Sequence, residues 1–512
     1  MRKWFCIQGK DWGIYGLVAA VLFTIALCFT SPASAIDTEL GGKRLSFQGI
    51  IKQGVAYGIT EDQYDTKKGI QSLLTQIILE TKYDPHPDIS LFVSGKFNAD
   101  QAYPVFSNND EWQAKGFDKS RDRLYVLDNW QDVLGEAHVT VKKGDFYVRA
   151  GKQIVGWGET DGFRLMDQIN PTDARRGITD VEYENSIVPI FLLRTEYRPP
   201  TRPDWLQDLN FQFVFNPNAQ FRGNQGPVPG NDTAGIWAPR VDIPLGGPYP
   251  ADYAHLGSLA SNIEKPGNFS QDGFAYAGRI TANLFDARVS LNGYYGRSFD
   301  AVTTNVAAPP GMATSAWDNR MIMSPAVEGY YPLFKFVGAT FTRDITPLKA
   351  SFLGGVSPVL RLETFYAFKS TFTTNSNTFE TFDETRAAVG LDWKVKIPLL
   401  NDKSGFALSG QVYDQRIMDY PTGGLVGVDE NNWKTTLSIS TAYFNAKLQP
   451  SVFWLRDYTN KSEFFRYQLV WSHSDAWKYT LGVLNVKWNK EGVGFEPLKD
   501  KDHIYFNVAY KF

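Results

Sequence analysis

The last ten residues restrict the fold more than any other part of the chain. Along them, large apolar side chains alternate strictly with polar or small ones. One face carries Ile504, Phe506, Val508, Tyr510 and Phe512, and the other carries His503, Tyr505, Asn507, Ala509 and Lys511. A strand of this length with one apolar and one water-facing side is typical of the tilted strands of a membrane β-barrel. At the edge of a soluble sandwich, the same apolar row would invite aggregation.

The apolar face of this strand ends on a terminal aromatic residue. The series Phe506, Val508, Tyr510 and Phe512 resembles the C-terminal signal by which the bacterial barrel-assembly machinery recognises its clients. The resemblance implies an outer-membrane protein that meets periplasmic chaperones, the assembly machinery and outer-membrane lipid. It predicts localisation in the outer membrane of a Gram-negative bacterium.

The same two-residue period recurs upstream. Alternating apolar and polar side chains occupy residues 136–142, 386–396, 406–413 and 465–471. Each of these segments predicts a strand with a lipid-facing and a water-facing side, whereas no helical period of comparable strength follows residue 35. The sequence therefore predicts an all-β chain folded as a single closed antiparallel transmembrane β-barrel.

Connections between the predicted strands alternate in length. Short or moderate ones include residues 84–88, 142–145, 284–286 and 472–476. Long ones cover residues 98–134, 156–186, 216–272, 298–332 and 415–433. This alternation is typical of short periplasmic turns and long external loops. It predicts about 18 strands beginning near Lys43, with 16 as the alternative because residues 57–81 and 323–359 are the least regular.

The first 35 residues have the features of an export signal. Basic residues precede the apolar run 14–29, and Ala33-Ser34-Ala35 supplies the small residues that a signal peptidase needs. We expect residues 1–35 to be removed on the general secretory route and residues 36–512 to form the barrel. Both cysteines, Cys6 and Cys28, would leave with the signal, so the mature chain would contain no disulfide.

Charge and histidine placement argue against two other classes of function. The formal net charge is −3, which provides no basic footprint for nucleic acid. The five histidines show no metal-ligand spacing, and no serine-centred nucleophile elbow precedes a helix. The sequence therefore predicts neither an enzyme nor a bound metal or cofactor.

The most distinctive segment follows the fifth predicted strand. It contains Gly151-Lys152-Gln153, then Trp157-Gly158-Glu159, then Asn170-Pro171-Thr172-Asp173-Ala174-Arg175. These motifs resemble those of a large family of proteobacterial outer-membrane proteins whose function is unknown. The resemblance implies a porin-like barrel over the whole mature chain and does not identify a transported solute.

This segment is the third of the predicted external connections, the place where many porins fold a loop into the lumen. We expect a pore constriction near residues 156–186, because opposed charges across a narrow throat select solutes by charge and dipole. The candidate residues are Trp157, Glu159, Arg164, Asp167, Asp173, Arg175 and Arg176. A compatible structural alternative is that Asp173 caps a short helix and the two arginines form ordinary ion pairs.

The water-facing side of the predicted strands also carries charge. Candidate residues of the lumen wall are Arg149, Gln153, Arg386, Asp392 and Lys394, which could instead be simply solvated or paired across strands. The favoured function is passive passage of small polar or charged solutes. Two alternatives remain open: a transporter of lipid or hydrocarbon, suggested by Phe365, Tyr413 and Phe453 on the same side, and a sheath around a partner such as a cytochrome. Ion preference, homo-oligomerisation and the role of the loop near 216–272 stay open as well.

Overall fold

A computed structural model describes most of the chain after residue 35. The described residues are 36–60, 69–100, 133–160, 163–173, 186–200, 203–224, 261–306, 313–314, 321–322, 326–349, 354–490, 494–495, 498 and 502–512. The predicted leader, residues 1–35, lies outside them. Among these residues, no helix is long and apolar enough to cross a membrane.

The first half of the chain contributes short and long strands to one large sheet. They are β1 (Ile36–Leu40), β2 (Lys43–Gly58), β3 (Gly69–Ser72), β4 (Leu74–His86), β5 (Ile89–Asp100), β6 (Leu134–Lys143), β7 (Phe146–Gln153), β8 (Ile190–Tyr197) and β9 (Leu206–Asn216). After β10 (Ser261–Glu264) come β11 (Ala275–Leu284) and β12 (Ala287–Arg297). Interrupted only at Leu73, β3 and β4 together make one strand of the wall.

The second half completes the wall. After β13 (Val302–Val306), β14 (Ala313–Thr314), β15 (Met321–Ile322) and β16 (Ala326–Tyr330) come β17 (Leu333–Asp344), β18 (Val359–Thr373), β19 (Phe379–Val395), β20 (Phe406–Ile417), β21 (Asn431–Ser440), β22 (Leu448–Asp457), β23 (Ser462–Ser472), β24 (Trp477–Trp488) and β25 (His503–Lys511). Two short 3-10 helices occupy Gln271–Gly273 and Thr346–Leu348.

Each wall strand pairs antiparallel with the next, and β2 pairs with β25 to close the ring. In that closing pair, Ile51 lies opposite Tyr510 and Gly58 lies opposite His503. The wall thus has 18 strands, which confirms the predicted count and rules out 16. In a closed ring, every strand has a hydrogen-bonded neighbour on both sides. A sheet must meet this condition to be stable in lipid, where no water is available to its backbone N–H and C=O groups.

The two faces of the wall differ as the two-residue period predicts. Leu291, Val337 and Phe506 expose 64%, 54% and 41% of their surface on the outer face. Their chain neighbours Asn292 and Tyr505 are buried on the inner face. Exposed apolar side chains on the outside of a closed barrel are stabilised by lipid contact, so the outer surface suits a bilayer.

Connection lengths follow the prediction at one end of the barrel more closely than at the other. Residues 87–88, 144–145 and 285–286 form tight turns at one end. At the opposite end, the connections that join β5 to β6, β7 to β8, β9 to β11 and β12 to β17 are long. Two connections at that opposite end are also short, residues 374–378 and 458–461, so the alternation is not strict. The hairpin of β18 and β19 runs for 15 and 17 residues. Since about 9–11 residues cross a membrane, this hairpin continues beyond it and can close with a tight turn.

Small elements lie at the long-loop end. β16 pairs parallel with β10 and antiparallel with β13, and β14 pairs with β15. The long loop predicted near 216–272 joins β9 to β11, and its residues 225–260 lie outside the described part of the chain.

The C-terminal residue is tied into the wall. The Phe512 N–H donates to the Gly49 carbonyl at 3.0 Å, and the Phe512 carbonyl accepts the Gly49 N–H at 2.8 Å. Tyr510 is buried against Trp477 and Phe512 rather than exposed like Phe506, so the outward series changes character at its end. The recognition of Phe506, Val508, Tyr510 and Phe512 by the assembly machinery stays a prediction.

Candidate functional site

Residues 154–160 and 163–172 lie inside the barrel against its inner face. The Trp157 indole N–H donates to the Gln212 side-chain oxygen at 2.5 Å, and the Phe163 N–H donates to the Gln411 side-chain oxygen at 3.2 Å. Gln212 alternates with the outward-facing Phe213, and Gln411 alternates with the outward-facing Val412. The segment therefore covers the inner face from β9 round to β20. We call the described residues 154–160 and 163–172 the inner segment.

The neck of the inner segment is pinned by two amide side chains. The Asn170 side-chain oxygen accepts the Val155 N–H at 2.9 Å, and its amide nitrogen donates to the Gln153 and Val188 carbonyls at 3.0 Å each. Gln153 is fully buried and donates to the Leu192 carbonyl at 2.9 Å. Just before this neck, Gly151 has φ +130°, and a Cβ there would lie 2.3 Å from the Ala137 carbonyl oxygen. The Gly-Lys-Gln motif thus forms the point where the chain leaves the wall.

An aspartate shapes the turn at Trp157-Gly158-Glu159. The Asp167 carboxylate accepts the Trp157 N–H at 2.5 Å and the Gly158 N–H at 2.7 Å. Arg164 Nη1 lies 3.8 Å from the same carboxylate. A Cβ on Gly158 would lie 2.6 Å from the Arg164 Cβ, so only glycine allows this close approach.

Glu363 of β18 holds the inner segment from the wall. Its carboxylate accepts the N–H groups of Glu159 at 2.5 Å, Thr160 at 2.6 Å and Met166 at 3.2 Å. The Thr160 hydroxyl donates to it at 2.8 Å. Glu363 is buried, and no basic side chain within the described ranges lies at ion-pair distance from it. The backbone of the segment, rather than a cation, therefore compensates the charge of this carboxylate.

Glu159 joins the segment to three wall arginines. Its carboxylate accepts a hydrogen bond from Arg279 Nη2 at 2.8 Å and lies 3.7 Å from Arg288 Nε. Arg361 Nη1 donates to the Glu159 backbone carbonyl at 2.8 Å. Arg279 also lies over the Trp157 ring, 6.0 Å from its centroid. The charge of Glu159 is thus directed at the wall on its own side of the lumen.

An apolar core fills the space between the inner segment and the wall. Trp157, Leu165, Met166 and Ile169 of the segment are buried in it, together with these wall residues: Val214, Tyr294, Phe336, Phe365, Ala367 and Tyr413. Phe336 and Phe365 stack at 4.9 Å, and Phe163 lies 5.0 Å from Tyr413. Because each large apolar side chain contributes about 1.5–3 kcal/mol when fully buried, this contact fixes the segment firmly.

The structure brings four of the predicted constriction residues together. Trp157, Glu159, Arg164 and Asp167 lie within the inner segment. Asp173 lies beyond its neck, where its N–H donates to the Ser186 carbonyl at 2.6 Å beside the bridge between Thr172 and Ile187. Arg175 and Arg176 are outside the described residues. The constriction itself, and the helix-cap alternative for Asp173, stay predictions.

The predicted wall residues occupy different environments. Arg386 pairs with Glu384 at 3.0 Å, and Asp392 pairs with Arg361 at 2.8 Å. Lys394 is exposed, whereas Gln153 is buried at the neck of the inner segment. Arg149 faces the lumen, since it alternates with the outward-facing Val148.

Sequence reasoning missed the amides that receive the segment. Gln212 and Gln411 sit on the water-facing side of their strands, and that position was the only available signal. Among the described residues, no group of three or more His, Cys, Asp and Glu side chains could hold a metal ion.

Comparison with solved structures finds porins of very low sequence identity. OpdK of Pseudomonas aeruginosa is 7% identical, covers 91% of this chain and 98% of its own, and has a TM-score of 0.47. OccD3 (OpdP) of the same organism is 8% identical, with coverages of 94% and 95% and a TM-score of 0.45. OmpF of Salmonella typhi, in complex with daunomycin, is 10% identical, with coverages of 93% and 100% and a TM-score of 0.39.

Sequence comparison identifies the family directly. No curated protein matches the chain. A family model described as a protein of unknown function (DUF1302) matches residues 16–512, which is almost the whole sequence. The chain therefore belongs to the DUF1302 family of proteins of unknown function.

Proposed function

We propose that the protein is a porin-like channel through which small polar or charged solutes diffuse passively. The observation that carries this proposal is the inner segment, which is anchored to the inner face from β9 to β20 by hydrogen bonds, ion pairs and an apolar core. A barrel of 18 strands encloses a lumen wide enough for water. A firmly held segment inside such a lumen narrows the passage without relying on a mobile loop.

In this proposal the barrel stands in the outer membrane of a Gram-negative bacterium. Residues 1–35 direct export through the general secretory route, and periplasmic chaperones and the assembly machinery then deliver the chain to lipid. The tight turns 87–88, 144–145 and 285–286 face the periplasm, and the long connections face outward. Both termini then lie on the periplasmic side, as an even strand number requires.

The environment of the lumen aromatics favours a channel for polar solutes over a transporter of lipid or hydrocarbon. Phe365 and Tyr413 are buried against the inner segment. Phe453 packs at 6.3 Å from Phe464, in a second cluster that includes Phe495. Side chains already covered by protein offer little surface to an apolar cargo. Among the residues that the structure describes, no specific contact favours the sheath hypothesis.

Planar-bilayer recording of the purified full-length protein tests the proposal. We expect steady ohmic conductance on insertion. Absence of conductance, with lipid co-purifying in stoichiometric amount, would support the transporter instead.

A charge-neutralised variant tests the constriction. Replacing Arg175 and Arg176 together by glutamine should change the reversal potential in a salt gradient, because it alters the charge balance of the loop. An unchanged reversal potential in that variant would count against a constriction at this loop.

A further inference from the structure

A second polar site lies on the inner face near the tight-turn end, away from the inner segment. It is a cavity of about 600 Å³ lined by β2 and by β4 to β7. Its side chains alternate with the outward-facing Val139, Val141 and Val148, so it opens to the lumen. We call this cavity the vestibule pocket. Its lining includes Lys82, Phe92, Glu136, His138, Lys142 and Arg149.

The carboxylates of the vestibule pocket are already engaged. Asp84 pairs with Lys82 at 3.0 Å, and Asp88 lies 3.6 Å from the His86 ring. Glu136 accepts the Ile154 N–H at 3.0 Å, where the chain enters the inner segment. Asp84 therefore has a cationic partner and Glu136 a backbone donor, whereas the Asp88 carboxylate is exposed near the rim of the pocket.

Two of its cations are free of carboxylates. Arg149 Nε donates to the Thr140 hydroxyl at 3.1 Å, which orients the guanidinium, and its nearest carboxylate influence comes from Glu136, which lies beyond ion-pair distance. Neither Arg149 nor Lys142 has a carboxylate at ion-pair distance anywhere in the described part of the chain. Both lie over the Tyr147 ring, at 5.5 Å and 5.8 Å from its centroid. Both cations therefore contact the same aromatic ring.

A ring platform adjoins these cations. Phe92 and His138 stack with centroids 5.2 Å apart and ring planes inclined by 20°. His138 is buried, whereas Phe92 is half-buried and lines the cavity. The pocket thus combines an oriented guanidinium, an ammonium group and an apolar aromatic edge.

We propose that the vestibule pocket binds small aromatic carboxylates and favours their passage, an inference that rests on the proposed channel function. The planar guanidinium of Arg149 receives the carboxylate through paired hydrogen bonds, and Lys142 adds a second positive charge. The ring of the solute lies against Phe92. Arg149 and Lys142 act here as specificity-determining residues.

Equilibrium binding and conductance, measured separately on the full-length protein, test this inference. Benzoate is the probe, and benzamide is its uncharged control. Isothermal titration of the detergent-solubilised protein should show benzoate binding and no benzamide binding. In Arg149→Gln, the benzoate dissociation constant should rise about tenfold or more, the scale expected when a charge-assisted contact is lost. In Lys142→Gln it should rise less.

Lys143→Gln is the matched control, because Lys143 is the next residue and belongs to the opposite face of the same strand. It should bind benzoate like the wild type. Equal affinity in the wild type and Arg149→Gln, or equal binding of benzamide and benzoate, would overturn the inference while leaving the channel intact. Loss of conductance in every form, with benzoate binding retained, would instead contradict the proposed channel.

Discussion

Two charged regions of the inner face of this barrel differ in whether their charges are paired. Under the inner segment, Glu363 is surrounded by backbone donors and Glu159 by arginines. In the vestibule pocket, Arg149 and Lys142 have no carboxylate partner within the described residues. The first region uses charge to fix the chain, and the second offers charge to whatever enters the lumen.

The difference follows from the cost of burial. A carboxylate removed from water must be compensated by donors, and once compensated it has little field to offer a solute. An exposed cation in water has no such requirement, so it can stay unpaired and attract anions. A charged residue in the lumen is therefore a candidate for binding a solute only when no neighbouring group already compensates its charge.

We expect the largest effect from a substitution in the apolar core between the inner segment and the wall. Trp157→Ala removes a side chain that is 2% exposed, together with its hydrogen bond to Gln212. We expect a loss of about 3–5 kcal/mol in the stability of the folded barrel, and a larger single-channel conductance because the segment loosens. Thermal unfolding in detergent and bilayer recording measure the two effects. The control is Trp205→Ala, on a side chain that is 53% exposed, and equal losses in both variants would show that Trp157 is no anchor.

The next effect addresses the carboxylate that holds the segment. Glu363→Gln replaces a carboxylate that accepts four hydrogen bonds by a weaker, neutral acceptor. It also places the two N–H groups of an amide beside N–H and O–H groups that are themselves donors. Since a buried group left unsatisfied costs about 1–3 kcal/mol, the segment should detach while the wall remains. Trypsin should then cleave after Arg164 much faster than in the wild type.

A matched variant separates anchoring from general damage to the wall. Glu384 is equally buried, but its partners Ser370, Arg386 and Gln415 all belong to the wall. Glu384→Gln should therefore leave cleavage at Arg164 unchanged. Equally fast cleavage in both variants would mean that Glu363 has no particular role in holding the segment.

The sequence predicts the wall of this protein much better than it predicts the contacts inside it. Alternation such as that of residues 503–512 depends only on neighbours in the chain, so strand count and closure could be derived from it. The place of the inner segment was also accessible, because Trp157-Gly158-Glu159 follows the fifth strand. The Glu159 N–H donates to Glu363, and the Glu159 carboxylate pairs with Arg279. These contacts join residues more than a hundred positions apart, and no local pattern encodes them. Only the register of the strands between them brings these residues together.

A substitution at Glu159 should turn paired charge under the inner segment into unpaired charge like that of the vestibule pocket. Glu159→Gln leaves Arg279 and Arg288 without the carboxylate that they share. The local potential becomes more positive, so the anion-to-cation permeability ratio should rise by about threefold. Reversal potentials in a potassium chloride gradient measure the ratio. Adding Arg288→Gln should return the ratio toward the wild-type value, and failure of this compensation would show that Glu159 does not act through its charge.

The smallest effect concerns the exposed cation of the vestibule pocket and depends on salt. Lys142→Gln should lower the anion-to-cation permeability ratio by about twofold at 0.1 M salt, where the Debye screening length is about 10 Å. At 1 M salt, where that length falls to about 3 Å, the difference from the wild type should vanish. The faster cleavage in Glu363→Gln should persist at both concentrations. The hydrogen bonds that the substitution weakens are shielded from ions by the surrounding protein, so salt should not change their contribution. A Lys142→Gln effect that survives 1 M salt would place this residue among the structural charges and remove the distinction between the two regions.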